Sequence, residues 1–231
     1  MTSPTDTSNP SAWIRDKTQH TCLQKRRHSI RLKGYDYAQE GAYFITIVTQ
    51  NRACLFGDIT DSAPQLNSAG RMIRSLWIDM TAHYPGVEPD TVVVMPNHIH
   101  GIVFLVGAGP RACPNQAGQP QGVAPTMPVP DIIHRFKTLT TKRYIDGVKQ
   151  TAWLPFQGRL WQRNYYEHII RNERSLLRIQ EYIATNPARW SVDPENPFAT
   201  RPESKDLWRT DDNTPTVRMQ HAAPLHSLRK I

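Results

Sequence analysis

Thr91–Leu105 reads TVVVMPNHIHGIVFL, two apolar runs of strand length around a short polar interruption. The break at Pro96 and Asn97 predicts two antiparallel strands joined at that point. Side chains alternate faces along a strand, so His98 and His100 point the same way, with about 7 Å between their Cα atoms, close enough for two imidazoles to grip one ion. Ile102 and Phe104 fall on the imidazole face, while Ile99, Val103 and Leu105 fall on the other. Both faces are largely apolar, which sets the pair over a buried or half-buried sheet.

Other His-x-His metal sites fit the neighbouring residues less well. A cupin-type site wants a glycine six residues before the first histidine and a glutamate soon after, where Val92 and Phe104 stand. A metallo-β-lactamase-type site wants an acid at the next same-face position, which is Ile102.

Upstream, GAYFITIVTQ from Gly41 alternates aromatic and β-branched residues and predicts a strand. Asn67 or Ser68 caps a helix whose apolar positions Met72, Ile73, Leu76, Trp77 and Met80 repeat at three and four residues, and Pro85 closes it. Downstream, residues 107–130 hold four glycines and six prolines, a long excursion without regular structure. Asp131 then starts a helix with Ile132, Ile133, Phe136 and Leu139 as its apolar stripe and His134, Arg135, Lys137, Lys142 and Arg143 around the rest, a basic face suited to lining a DNA channel. Gly158–Tyr166 is expected to be the last strand. Asn172 caps a final helix that Pro187 ends, with Leu176, Ile179 and Ile183 as its core stripe. Tyr182 and Asn186 are four residues apart and stack on one face beside that stripe. The order strand, helix, two-strand hairpin, helix, strand predicts an α+β, ferredoxin-like βαββαβ core. Its sheet is antiparallel with helices on one face, and a C-terminal helix is added.

With 231 residues, 39% of them apolar, the chain can form one domain with a sizeable core. Residues 1–21 are polar and are expected to be a disordered arm, residues 22–192 the folded unit, and residues 193–231 an extended, Pro-rich and charged tail. A formal charge of +8 favours a polyanionic partner, and Arg31 and Lys33 lie in a basic segment suited to phosphate. The three cysteines, Cys22, Cys54 and Cys113, are widely spaced and form no Cys-x-x-Cys pair. That argues against a disulfide framework or zinc ribbon and for a reducing cytoplasm. The first thirty residues hold no apolar signal-like core and no run of eighteen apolar residues occurs, so neither a signal peptide nor a membrane span is expected.

Four blocks, RRHSIRLKGYDY with AYFITIVTQNR, MPNHIHG, WQRNYYEHIIRNE and QEYIATNP, resemble in content and order the REP-associated tyrosine transposases, a branch of the single-tyrosine HUH endonucleases. The resemblance covers about Arg26 to Asn196. It implies that His98 and His100 hold a divalent ion, that Asn186 supplies a third ligand, and that Tyr182 is the nucleophile. Tyr165 and Tyr166 also sit in a conspicuous block, but they precede the helix and lack an amide at helical spacing.

The implied activity is cleavage and rejoining of single-stranded or hairpin, REP-like DNA through a 5′-phosphotyrosine intermediate, by a monomer or homodimer. A non-catalytic structured-nucleic-acid-binding module and a metal-dependent phosphodiester hydrolase are the alternatives. A phenol with a pKa of about 10 is a poor nucleophile, so a cation is needed to offset its anionic form and the charge on the phosphate. Mg²⁺ or Mn²⁺ fits that task, with imidazole-rich ligation tilting binding toward Mn²⁺. Trp161, Tyr165 or Trp190 for base stacking, together with Lys137, Lys142 and Arg143 for phosphates, are the expected DNA contacts. Glu167 and His168 are expected only as assistants.

Overall fold

In a computed structural model of the chain, residues 34–106 and 127–204 are described. The core is a four-stranded antiparallel sheet of β1 (Gly41–Val48), β4 (Val87–Val94), β5 (His98–Leu105) and β6 (Tyr166–Ile170), in the order β4-β5-β1-β6. Two central strands, β1 and β5, are paired in a register that sets Thr46 opposite His100 and Val48 opposite His98. A second, two-stranded sheet joins β2 (Gly57–Thr60) to β3 (Ala63–Leu66). Sequence patterning does not reveal that hairpin, because its turn uses Asp61 and Ser62 in left-handed conformation, at φ 50° and 62°, in place of a glycine.

Alternation divides the core as expected. Tyr43, Ile45, Ile47, Ile99, Val103 and Leu105 point to one face, where helix α1 (Ser68–Ile78) contributes Ile73, Leu76 and Trp77. The short helix α2 (Met80–His83) adds Met80 to that face, and α3 (Val129–Thr151) adds Ile132, Ile133, Phe136 and Tyr144. Ala42, Phe44 and Ile102 point to the opposite face, which helix α4 (Glu173–Thr185) covers with Ile179, Tyr182 and Ile183. The capping residues read from sequence hold. Asn67 accepts a hydrogen bond from the Gly70 N–H at the start of α1, and Asn172 accepts one from the Ser175 N–H at the start of α4.

Three boundaries differ from expectation. Helix α3 begins at Val129, two residues early, because Pro130 is tolerated in a first turn whose N–H groups need no helical partner. The last strand is Tyr166–Ile170 and not Gly158–Tyr166. Trp161 makes only an isolated bridge to Thr49, and its indole N–H donates to Thr140 Oγ1 at 2.9 Å in the core. Burial of that large ring sets the path of the 158–165 segment and delays sheet pairing. Residues 193–204 are also not the beginning of an extended tail: Asp193 and Glu195 are buried, and the Glu203 N–H donates to the Val192 carbonyl at 2.8 Å. Among the described residues, no helix is long and apolar enough to cross a membrane.

Gly101 lies between the histidine strand and α1. A Cβ there would come within 2.4 Å of Trp77 Cζ2, so the indole packs where a side chain would otherwise stand. Gly101→Ala should therefore destabilise the protein by about 1–3 kcal/mol through overpacking, read as a lower denaturation midpoint with unchanged slope.

Candidate metal centre and its tyrosine

The tight connection between β4 and β5 is held by main-chain bonds before any side chain acts. Met95 N–H donates to the His98 carbonyl at 2.8 Å, Thr49 N–H to the Asn97 carbonyl at 2.8 Å, and the Leu55 and Phe56 N–H groups both to the Pro96 carbonyl, at 2.8 and 3.0 Å. This fixes Asn97, which is fully buried, as a hub. Its Nδ2 donates to the carbonyls of Arg52 and Glu195, at 3.0 and 2.7 Å. Carbonyls can only accept, so the amide orientation is determined and Oδ1 is the atom 2.8 Å from His98 Nδ1. In the neutral ring, His98 then carries its proton on Nδ1 and presents a lone pair at Nε2.

His100 Nδ1 lies 2.7 Å from Thr46 Oγ1, a pairing that follows from the β1–β5 register. The two Nε2 atoms face each other at 3.0 Å, with ring centroids 4.5 Å apart. Burial, with His98 alongside, lowers the His100 pKa to about 3, against a weaker pull upward from Asp193 and Glu195. His100 is thus a neutral imidazole, and so a competent ligand, across the neutral range.

The 3-10 segment Asn186–Val192 follows α4 and brings a carboxylate to the pair. Asp193 Oδ2 is 3.8 Å from His98 Nε2, and the donor atoms of His98, His100 and Asp193 all lie within 4.8 Å of one another, each residue buried. Asn186 is buried beside them and donates from Nδ2 to Asp193 Oδ2 at 3.1 Å, while its Oδ1 is buried with no hydrogen-bond partner. Two imidazoles, a carboxylate and an orphaned amide oxygen suit a divalent cation. The ring of Tyr182 packs edge-on to His100, with centroids 5.3 Å apart, and Phe44 lies 6.1 Å away, perpendicular to the tyrosine ring. Burial, and then the Asp193 charge, push the phenol pKa up.

No family model matches the chain. It is 41% identical over 183 residues to an uncharacterized protein of Haemophilus influenzae, covering 76% of this chain and 96% of that relative. A second protein of that organism, carrying the name "Putative REP-associated tyrosine transposase", is 27% identical over 156 residues, which is 67% of this chain and 74% of the relative. By that second relative, the chain is similar to a protein named as a REP-associated tyrosine transposase. A solved REP-associated tyrosine transposase bound to a REP hairpin aligns with a TM-score of 0.42 at 20% identity, over 70% of this chain and 73% of that one.

In this chain, His98, His100, Tyr182 and Asn186 come together in one buried cluster. The expected DNA contacts do not behave alike. Arg31 and Lys33 lie outside the described residues. Trp161 is 4% exposed and its indole N–H is bonded inside the core, so it offers no face for a base. Lys137 is likewise a brace: its Nζ donates to the carbonyls of Gln162, Arg163 and Asn164 at 2.9, 3.3 and 3.2 Å, and sits over the Tyr165 ring at 5.5 Å. Burial lowers its pKa to about 8. Lys142 and Arg143 are exposed on α3, and Lys142 lines a groove of about 600 Å³ with Lys149, Arg159 and Arg163. Glu167 faces the sheet side away from the histidines, opposite Ile45, whereas His168 and Tyr166 share the histidine side. Trp190 was expected only as a stacking residue, and its ring borders His98 at 6.1 Å.

Sequence reading missed Asn97, Thr46, Asp193 and Glu195. Asn97 and Thr46 are legible only once the turn and register are known. Asp193 and Glu195 sit in a stretch with no periodicity, so nothing in the pattern separates them from solvated acids.

The depressed His100 pKa carries a stability signature. The unfolded ring, with its ordinary value near 6.5, binds a proton before the folded one at about 3 does. The stabilising difference is complete above about pH 6.5 and is lost as pH falls toward 3. In metal-free protein, unfolding free energy should decline over that window, and His100→Asn should lower the slope by up to one proton, measured by urea melts at a series of pH values.

Proposed function

We propose that the chain is a DNA strand transferase that cleaves and rejoins single-stranded or hairpin, REP-like DNA, with Tyr182 as nucleophile and His98, His100 and Asn186 holding Mg²⁺ or Mn²⁺. The observation that carries this reading is the packing of the Tyr182 ring against His100, 5.3 Å between centroids, beside two buried ring nitrogens that face each other at 3.0 Å. The ferredoxin-like core belongs to the same proposal. Renumbered along the βαββαβ path, with the small hairpin set aside, the sheet order reads 4-1-3-2, and α4 brings the tyrosine to the face that α1 and α3 leave uncovered.

Tyr182 Oη attacks the phosphorus of a splayed strand. The new O–P bond links the tyrosine to the 5′ side of the break, and the bond to the 3′ oxygen breaks, leaving a 3′ hydroxyl that takes up a proton. No water is consumed, so the reverse attack by a 3′ hydroxyl restores a phosphodiester. In the protein alone, burial and the Asp193 carboxylate keep the phenol protonated at neutral pH. A bound cation supplies the positive charge that offsets the phenolate and the phosphate oxygens.

Asn97 holds His98 in the ligand tautomer, and Thr46 orients His100. Half-buried Trp190 borders His98 and provides an aromatic face for an unpaired base, while exposed Lys142 and Arg143 serve phosphates. Tyr182 and both histidines come from one chain, which supports a catalytic unit complete within a monomer. The cytoplasm, where DNA and reduced thiols coexist, is the proposed compartment.

The test is a labelled hairpin oligonucleotide incubated with the protein and Mn²⁺. Wild type should give a covalent adduct that survives denaturation, and Tyr182→Phe should lower adduct yield by more than about 10³-fold while still binding the hairpin. Cleavage with both ends free would indicate a hydrolase, and binding without cleavage a recognition module.

A further inference from the structure

We infer that Asp193 is itself a direct ligand of the cation, which makes the centre two imidazoles and one carboxylate with Asn186 beside it. This rests on the reading that His98 and His100 hold a metal. It assigns a ligand from beyond the nucleophile helix, on the segment the sequence marks as a tail.

The argument is one of convergent acceptors. Asn97 must aim Oδ1 at His98 Nδ1, because its Nδ2 is committed to two carbonyls; the neutral His98 ring therefore turns a lone pair, not a proton, toward Asp193 Oδ2 at 3.8 Å. That separation exceeds hydrogen-bond reach. Asn186 is fixed the same way. Its Nδ2 faces a carboxylate oxygen that can only accept, so Oδ1 is left buried with no partner. Lone pairs at His98 Nε2, Asp193 Oδ2 and Asn186 Oδ1, next to His100 Nε2, form a buried set of acceptors. A buried carboxylate in such surroundings is costly unless positive charge answers it.

Arg52, which reaches the segment carrying Asp193, is turned to Glu195 Oε2 at 2.9 Å instead. The bonds to Asp193 itself come from the Asn186 amide and from the Glu195 N–H, which donates to Oδ1 at 2.6 Å. These leave room at each carboxylate oxygen for a further partner. The position of Asp193 is also built. Glu195 is clamped by Arg52 at its side chain and by Asn97 at its carbonyl, so the amide that orients His98 also anchors the segment carrying Asp193.

The experiment is Mn²⁺ binding to the full chain, followed by calorimetry and by the spin-resonance signal of free Mn²⁺, with DNA absent. Asp193→Asn preserves shape and should weaken binding at least about tenfold, while its thermal melt in EDTA stays close to that of wild type. Asp193→Cys should take up Cd²⁺ with an ultraviolet thiolate-to-metal charge-transfer band beyond any that the three native cysteines give in wild type, a signal that a merely structural residue cannot give. Wild-type affinity in Asp193→Asn, or no added band from a folded Asp193→Cys protein that binds Cd²⁺, overturns the assignment and leaves the two-histidine reading standing. Failure of wild type itself to bind Mn²⁺, with His98→Ala indistinguishable, overturns the metal reading as well.

Discussion

The pairing of β1 with β5 is the constraint on which the centre depends. With Thr46 set opposite His100 and Val48 opposite His98, both imidazoles lie on the sheet face that α4 covers, and a hydroxyl meets one ring without any loop having to deliver it. Because the side-chain period of a strand is two, a slip of one residue would turn both rings into the cluster around Trp77 and bring Ile99 to the α4 side. The buried apolar sets on the two faces hold the register, so the energy that specifies the fold also specifies the site.

Charge is managed in two shells around that register. Nearest the rings, burial keeps His100 uncharged and raises the Tyr182 phenol, so at neutral pH the imidazole has no charge and the phenol keeps its proton. One layer out, Asn97 converts backbone carbonyls of Arg52 and Glu195 into a tautomer choice at His98. A small amide in a turn therefore joins a loop, a strand and the segment after α4, and a rigid main-chain frame sets the chemistry of a ring two bonds away.

Much of this is legible from residues alone, for physical reasons that differ by element. That His98 and His100 share a face is readable because strand alternation is strict, and that Tyr182 and Asn186 do so because helical spacing is equally strict and Asn172 caps the helix in view. The roles of Tyr182 and Asn186 come from the family resemblance alone. The last strand is misplaced because Trp161 looks like a strand aromatic but makes its main contacts in the α3 core. Lys137 looks like a phosphate ligand because its three backbone acceptors arrive from a loop some twenty-five residues later. Asp193 and Glu195 stay hidden for the opposite reason. A 3-10 turn imposes no long period on its surroundings, so acids delivered by it resemble any charged tail.

The outer strand β4 carries Pro89 and a register shift between Pro89 and Val92, and the strand at the other margin, β6, is only five residues long. A proline has no N–H to offer, and a displaced ladder cannot keep step with an incoming one. Neither margin thus presents the long, even row of donors and acceptors along which two sheets fuse. A protein with so apolar a central strand is in this way guarded against stacking edge to edge with its own copies.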